Sequence, residues 1–590
     1  MTQAYNYIHG TNIQSVSTTH FYVKFKPQTV SDLNKLDSLD LELYDYPLDR
    51  EVIQDGDYWP EAYTGIGPNE YPWLYTVVGS NFQFPSGISY QILASLNIPD
   101  DDPTLEDRAF FITGNTECGE TTSTNASISE NEAGERTAKE QQKPGGVVRP
   151  MVPDCGEGYH WDYTLRQCVE NDCPNGYHWD DSQGQCVPDP PPPPPTNLYP
   201  HGMINYKTYN DYGVIPPSAP LKYTRIVARR FFKIDKTYTD ANGNFQLSKR
   251  FPRKVTIVVK FKTSTISVRQ EPSNFGLWKR WFPIKKNIGT YRGNNLQNLN
   301  YEFQKGSNSK KVKTRRWLAA VAINTTLETK DFLSSNSLIQ LPDKLPIYLS
   351  PPNQQTQSET AEYDFIKNSR FDPLTSVYLD WVTSDLNSMT TSKVTMNIAQ
   401  QLGLVYLWKV NEASNNNVNI YGNNYVNSIS YAYNQSYSIK YVRFGNGIPY
   451  QNFYNPDIIA MFQAFAQHLG HTIATRIYGS GETGFQLQGK SWLSSGGISS
   501  SSKYLEGFDP SIGEPNELFK WIPVGLINDL IDSNSDQPPV VDNVSGFTYA
   551  EIQLAYYTEP VYMINFKNAL KAIKPLQATL IDQLFTSYGY

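Results

Sequence analysis

The stretch Gln467-His468-Leu469-Gly470-His471 is where side chains with metal-binding chemistry recur at helical spacing. Zinc hydrolysis on a helix needs His-Glu-x-x-His: histidines at i and i+4 hold the metal, and the glutamate activates water. Here the histidines stand at i and i+3, with no carboxylate between them. Such a pair can still face one ion, but on a packed helix it is more often structural. The remaining histidines, His9, His20, His160, His178 and His201, fall in other segments, so a third ligand would have to be a carboxylate. The pattern predicts no catalytic site, no metal and no resident cofactor.

A second set of candidate ligands lies at 155–186. Cys155-Gly-Glu-Gly-Tyr-His-Trp-Asp leads to Cys168, and 18 residues on, Cys173-Pro-Asn-Gly-Tyr-His-Trp-Asp leads to Cys186. Four cysteines allow three connectivities. Equal spacing favours Cys155–Cys168 and Cys173–Cys186, one small hairpin per copy, each loop contributing about 3 kcal/mol in an oxidising compartment. The competing reading is a zinc site completed by His160 and His178, against which stands the lack of any Cys-x-x-Cys pair. Cys118 is left over as a free thiol.

The element that must carry His468 and His471 is a helix. Asn455 is its N-cap, Pro456 its first residue, and Asp457 suits the positive end of the dipole. Ile459, Phe462, Ala466, Leu469 and Ile473 follow at helical spacing, and Gly479 closes it. Thr548-x-x-Glu551 is a capping box that opens another helix toward Ile552 and Leu554. Strands are marked by period-2 alternation: His20–Lys26 (Phe21, Val23, Phe25, ended by Pro27) and Lys254–Lys262 (Val255, Ile257, Val259, Phe261). Asn242-Gly243 predicts a tight hairpin turn with Phe245 starting the return strand. Asp240 and Asn242 resemble part of a calcium loop, but the downstream glutamate is missing.

The chain has 590 residues, 39% hydrophobic, 18% charged and 13% aromatic, with 41 Tyr. Length alone suggests several domains, and the aromatic, charge-poor composition suggests β-rich modules and contact surfaces. A net charge of −8 argues against nucleic acid as the main partner. No apolar run is long enough for a membrane span, and Met1–Gly10 shows no export signal, which predicts a chain that is either cytoplasmic or released from the cytoplasm by another route, such as cell lysis. Charge is polarised: residues 31–110 hold 16 Asp/Glu against 3 Lys/Arg, and residues 245–320 hold 18 Lys/Arg against 2 Glu. Either these are two solvated faces, or they meet, within one chain or between copies. Residues 115–150 lack apolar periodicity and read as a flexible linker. Pro190–Pro195 form a rod of ~19 Å. Residues 115–199 would reach ~280 Å fully extended and ~50 Å as a relaxed coil, enough to let residues 1–114 dock on a neighbouring subunit.

The expected organisation is multidomain α+β. It comprises a β-rich N-terminal domain (1–114), a disulfide-hairpin tether (115–199), a β-sandwich with a basic insertion (200–316) and a mixed α/β C-terminal domain (317–590). Around 200–270 the chain resembles the transthyretin-like or carboxypeptidase-regulatory-like sandwiches of Bacteroidetes proteins. Tyr22-Val-Lys-Phe-Lys-Pro27, Leu41-Glu-Leu-Tyr-Asp-Tyr-Pro-Leu48, Asp457–Gly479, Ser491-Trp492 and Val544-Ser-Gly-Phe-Thr-Tyr549 extend the likeness to a multidomain group with a zincin-like C-terminal domain. In that pattern the helix reads His-Glu-Leu-Gly/Ala-His. The resemblance therefore puts Gln467 in place of the first ligand and His468 in place of the base; only His471 matches, and Lys490 falls where a third ligand carboxylate would be.

A zincin-like fold without its site implies a scaffold. Similar architectures without export signals occur among virion proteins of crAss-like phages, in the tail and its distal muzzle. The resemblance implies a structural virion component, released by lysis, whose partners are other tail proteins, further copies of itself and a host cell surface. The alternative is an exported Bacteroidetes surface protein that binds glycan or protein, or a residual metalloprotease. Non-reducing peptide mapping tests the tether first: bridges Cys155–Cys168 and Cys173–Cys186 are expected, and bridges crossing the repeats, or four free thiols, would overturn the pairing.

Overall fold

The computed structural model describes residues 1–49, 70–99, 102–113, 159–162, 167–170, 177–180, 185–188, 199–209, 217–251, 253–270, 281–306, 311–349, 370–372, 376–379, 389–413, 456–479, 525–533, 541–558, 563–588 and 590. Over these residues the protein is mixed α+β with several antiparallel sheets. Helix α1 (Thr2–His9) ends at Gly10, whose φ is +61°. Strand β1 (His20–Lys26) has the bounds its alternation predicts. Helix α2 (Val30–Ser38) starts in a capping box. The Asp32 N–H donates to Thr29 Oγ1 at 3.1 Å, and the Thr29 N–H donates back to Asp32 Oδ2 at 3.0 Å. Strands β2 (Leu74–Gly79) and β3 (Ser89–Leu96) flank β1 in the antiparallel order β2-β1-β3. Val23 and Phe25 pack with Leu33 and Leu36 of α2. Helix α3 (Pro103–Ile112) sets Arg108 over the Tyr7 ring of α1.

Each Gly-Tyr-His-Trp-Asp copy forms its own antiparallel pair, as the spacing predicts. β4 (Tyr159–Asp162) pairs with β5 (Gln167–Glu170), and β6 (Tyr177–Asp180) with β7 (Gln185–Pro188). Cys155 and Cys173 lie outside the described residues, so the predicted disulfides do too.

Two four-stranded sheets then face each other. β8 (His201–Lys207) pairs with β9 (Ser218–Pro220), β12 (Asn244–Gln246) and β16 (Tyr301–Phe303). β10 (Arg225–Arg230), β11 (Lys233–Tyr238), β13 (Val255–Lys260) and β15 (Lys285–Tyr291) form the other sheet, in the order β11-β10-β13-β15. Ile204, Tyr206 and Phe245 from one sheet and Ile226, Ile257 and Val259 from the other share a core. The hairpin expected at Asn242-Gly243 does not form. Gly243 does take φ +79°, but β11 and β12 part to opposite sheets. The Asp240 carboxylate holds the turn by accepting from the N–H groups of Asn242 and Asn244, each at 2.8 Å.

The boundary expected at 316/317 falls inside helix α4 (Lys311–Ser335). Its buried Trp317 donates from Nε1 to the Lys207 carbonyl at 2.8 Å, and Asn324 donates to the Pro220 carbonyl at 2.7 Å. Strand β14 (Ile266–Gln270) leaves the sandwich to pair in parallel with β17 (Leu345–Leu349). That sheet continues to β19 (Ser376–Leu379), which pairs with β18 (Arg370–Asp372). One apolar core runs from Ile204 to Tyr588, because a strand and a helix each cross the expected border. Helices α5 (Thr391–Ala413) and α6 (Pro456–Tyr478), the short α7 (Leu526–Ile531), and α8 (Tyr549–Thr558), α9 (Met563–Ile573) and α10 (Ala578–Ser587) complete the fold. α6 has the start and stop that Pro456 and Gly479 predict, with Gly479 at φ +81°. The Thr548 capping box is present: Thr548 N–H donates to Glu551 Oε2 at 2.8 Å and Glu551 N–H to Thr548 Oγ1 at 3.2 Å.

The acidic and basic regions meet within the chain. Arg225, 2% exposed, donates to Glu42 Oε1 at 2.8 Å and also bonds Asp40 and Tyr238. Lys260 pairs with Glu42. Lys262 Nζ lies 2.5 Å from Asp37 Oδ1, Lys236 Nζ 2.6 Å from Asp40 Oδ2, and Lys233 Nζ 2.5 Å from Glu106 Oε2. The basic face thus begins at Arg225, ahead of the 245–320 stretch that charge counting picks out. Between these pairs the Tyr22 ring packs 4.9 Å from that of Phe232. Phe232 is carried on a turn whose Phe231 holds a strained φ of +45°. Screening by salt is weak at these pairs because Arg225, Glu42, Lys233 and Glu106 are all buried.

Burial opposes ionisation of Asp37, but Lys262, helped by Arg269 and Lys344, outweighs it and holds the carboxyl below its ordinary value of 3.8. The folded state therefore binds this proton less readily than the unfolded state. Its stabilisation is complete above pH ~4 and is lost as pH falls through the folded value. Arg225→Met should cost about 3 kcal/mol in urea unfolding, since it strands Glu42 while Lys260 still partly serves it. The loss should change little between low and high salt. A cost near zero would show that the ion pairs do not hold the two modules together.

Candidate functional site

The site the sequence singles out lies on α6, in the middle of the helical layer. α5 and α6 run antiparallel at very close range. A Cβ on Gly470 would lie 2.6 Å from the Met396 carbonyl oxygen, and one on Gly403 would lie 2.9 Å from Ala466 Cα. Only glycine admits these two approaches. They draw the helices together and bury Ala466, Leu469 and Ile473 completely. At the far end Thr395 and Tyr478 join by their hydroxyls at 3.1 Å. Tyr478 also bonds Tyr206 of the sandwich, whose own hydroxyl receives Asn324 Nδ2 at 3.3 Å. A buried polar chain thus ties β8, α4, α5 and α6 together.

His468 points away from α5, toward α8. Its Nε2 lies 2.9 Å from the Tyr549 hydroxyl and 3.3 Å from Thr472 Oγ1. The Tyr549 ring in turn meets Phe332 of α4 edge-on at 4.9 Å. α8 is fixed by two more bonds: Tyr556 donates to the Met461 carbonyl at 2.9 Å, and Tyr406 of α5 to Gln553 Oε1 at 2.8 Å. His468 is 4% exposed, and burial, with a smaller contribution from His471, pushes its pKa down to about 3. Burial likewise pushes His471 down to about 4, although the residue is only half-buried by its exposed surface. Tyr549 is raised by burial.

This geometry limits the chemistry. General-base catalysis works best with a pKa near the working pH, and an imidazole near 3 is far too weak a base. The Nε2 that would reach a substrate or an ion is committed to Tyr549. Gln467 is buried, and among the described residues its Oε1 has no hydrogen-bond partner, as is true of Asn397 Oδ1, Gln401 Oε1 and His468 Nδ1. A neutral amide is a poor zinc ligand beside imidazole, thiolate or carboxylate. Among the described residues no three His, Cys, Asp or Glu side chains stand close enough to hold a metal ion. Lys490 lies outside the described residues, as do Ser491 and Trp492. Of the four positions Gln467, His468, His471 and Lys490, the structure therefore places three, all on one helix.

Sequence reading missed the residues that complete the site: Thr395, Tyr478, Thr472 and Tyr549. The capping box at Thr548 gave Tyr549 its place at the start of a helix but not its partner. α5 was missed as well, although Val394, Ile398, Leu402 and Val405 recur at helical spacing and are all buried. Its polar residues Thr395, Asn397, Gln400 and Gln401 look in sequence like a solvated face, yet in the fold they too are buried. No protein-family model, curated protein or solved structure matches the chain. Among the described residues no helix is long and apolar enough to cross a membrane.

Because the folded pKa of His468 lies below the ordinary 6.5, the unfolded state binds the extra proton more readily. The neutral ring's contribution is complete above pH ~6.5 and declines steadily below it, down to the folded pKa. At pH 5 His468 alone should remove about 2 kcal/mol of stability, at 1.36 kcal/mol per unit. Chemical unfolding at pH 7 and pH 5 checks this. His468→Gln should remove that part of the pH dependence, and an unchanged slope would show that the ring is solvated.

Proposed function

We propose that this protein is a structural component of a bacteriophage tail, of the distal muzzle type. In this reading a zincin-like helical domain and a transthyretin-like sandwich serve as scaffold. The observation that carries the non-enzymatic part is the commitment of His468 Nε2 to Tyr549 in a buried, neutral state. A group used to fix α8 on α6 is unavailable for water activation. The close approaches at Gly403 and Gly470 support the same reading, since at those two points α5 and α6 pack backbone against backbone. The continuous core from Ile204 to Tyr588 favours a stiff body suited to bearing load.

The N-terminal module, held by Arg225 and its neighbours, belongs to that body and extends its surface. Its partners on this reading are other tail proteins and further copies of the chain, in a particle assembled in the host cytoplasm and freed by lysis. The catalytic and metal positions, Gln467, His468, His471 and Lys490, are degenerate. The transthyretin-like and zincin-like assignments rest on the sequence resemblance and on the placement of a two-sheet unit ahead of the long helices.

Mass spectrometry of purified virions should find the chain in stoichiometric amounts. The recombinant protein should carry no stoichiometric zinc and cleave no peptide substrate. One zinc per chain, lost in His471→Ala, would overturn the scaffold reading. Absence from virions together with secretion would replace it with the exported surface protein.

A further inference from the structure

Arg269 is a buried cation whose charge no carboxylate answers directly among the described residues. On β14, Ile266 and Val268 enter the core, and Ser267 and Arg269 alternate with them. Arg269 is 6% exposed. Its Nε donates to Ser267 Oγ at 3.0 Å, and its guanidinium lies over the Trp281 ring at 4.8 Å. Those contacts use one edge and one face of the fork. Among the described residues its two Nη groups make no hydrogen bond, yet neither is sealed from solvent. Nearby buried cations are treated differently: Arg225 has Glu42, and Lys233 has Glu106. A buried charge without a counter-charge is strongly destabilising.

The bond to Ser267, two residues back, turns the Arg269 side chain toward the start of β14. Lys262 bridges to Ser267 there, and Lys344 stands just ahead of Leu345, the partner of Ile266. Both lysines reach Asp37 of α2: Lys262 Nζ is 2.5 Å from Oδ1 and Lys344 Nζ 3.9 Å from Oδ2. The Arg269 charge acts on the same carboxylate. Three cations therefore surround one carboxylate, where α2, the sandwich and the β14–β17 sheet meet. Asp40 and Glu42 do not relieve this excess, being held by Arg225, Lys236 and Lys260. Asp343 acts instead on Lys330. Lys344 is 57% exposed, so the cluster opens to solvent on its side.

We infer that Arg269 and Lys344, beside the Lys262–Asp37 pair, form a binding site for a dianionic oxyanion of the phosphate type. The open Nη edge of Arg269 offers parallel N–H donors to two oxygens of one anion, the geometry in which a guanidinium binds phosphate best. Lys344 supplies the second positive charge from the rim as a mobile point charge. Lys262 stays with Asp37. A dianion balances the two remaining charges, whereas a monoanion leaves one unanswered. Free phosphate and the phosphoryl end of a small phosphomonoester share this chemistry. Bound there, either would brace the junction at which the N-terminal module meets both sheets. The proposal goes beyond the tail assignment and does not rest on it.

The test titrates the full chain, dialysed free of phosphate and sulfate, in a calorimeter at pH ~8, above the second ionisation of phosphate. Inorganic phosphate, glycerol phosphate and acetate are the probes. Saturable binding of one dianion per chain is expected, with a matching rise in melting temperature and no response to acetate. Arg269→Gln should weaken binding about tenfold or more, and Lys344→Gln about fivefold. Lys344 is exposed, so its variant keeps the fold and decides the matter even if Arg269→Gln does not fold. Tighter binding of inorganic phosphate than of the ester assigns the site to the free ion, and the reverse order to a phosphorylated small molecule. No saturation by either dianion, an equal response to acetate, or affinity unchanged in Lys344→Gln would overturn the proposal.

Discussion

A guanidinium out of water has to be answered by carboxylates, and Arg225 is the point from which the arrangement of this protein follows. Its burial beside Glu42 and Asp40 would cost several kcal/mol if either side were missing. Undocking the N-terminal module would break these pairs together, whereas removing one partner alone would leave the other buried and unpaired. Lys260, Lys262, Lys236 and Lys233 repeat the pattern around it. The apolar contact of Tyr22 with Phe232 fills the middle. Charge here fixes register: one acidic side chain after another finds its own cation, and sliding the module would break them together.

The same principle of enclosed polarity organises the helical layer, with hydroxyls and neutral rings in place of ions. Thr395, Tyr478, Tyr206 and Asn324 link the helices to the sandwich. His468 and Tyr549 link α6 to α8. Buried polar links of this kind have strict geometry, since an unmet partner costs about 1–3 kcal/mol. They specify which helix lies where, while Gly403 and Gly470 set how closely. A histidine placed in such a layer is held neutral by the lack of water and resists taking up a proton.

Local features were legible in the sequence wherever one residue's chemistry decided the outcome. The alternation in His20–Lys26 and Lys254–Lys262 defined β1 and β13. Pro456 and Gly479 bounded α6, Thr548 and Glu551 opened α8, and the duplicated Cys-to-Cys segments gave two separate hairpins. The opposite charges of the two regions were visible as well. The two histidines were correctly placed on one helix.

What the tertiary structure alone decided is how these pieces are covered. β1 was expected to be half-buried, yet Tyr22 on its second face is also buried, because the sandwich lies on it. β11 and β12 looked like a hairpin and instead serve different sheets, since a turn fixes a reversal and not the partner of the next strand. The expected border at 316/317 dissolved because α4 and β14 cross it, and hydrophobic cores merge wherever apolar faces can meet. Above all, spacing showed that His468 and His471 shared a helix but not what enclosed them. The protonation state of an imidazole depends on the water and partners around it, and those come from α4 and α8, more than 70 residues away in sequence.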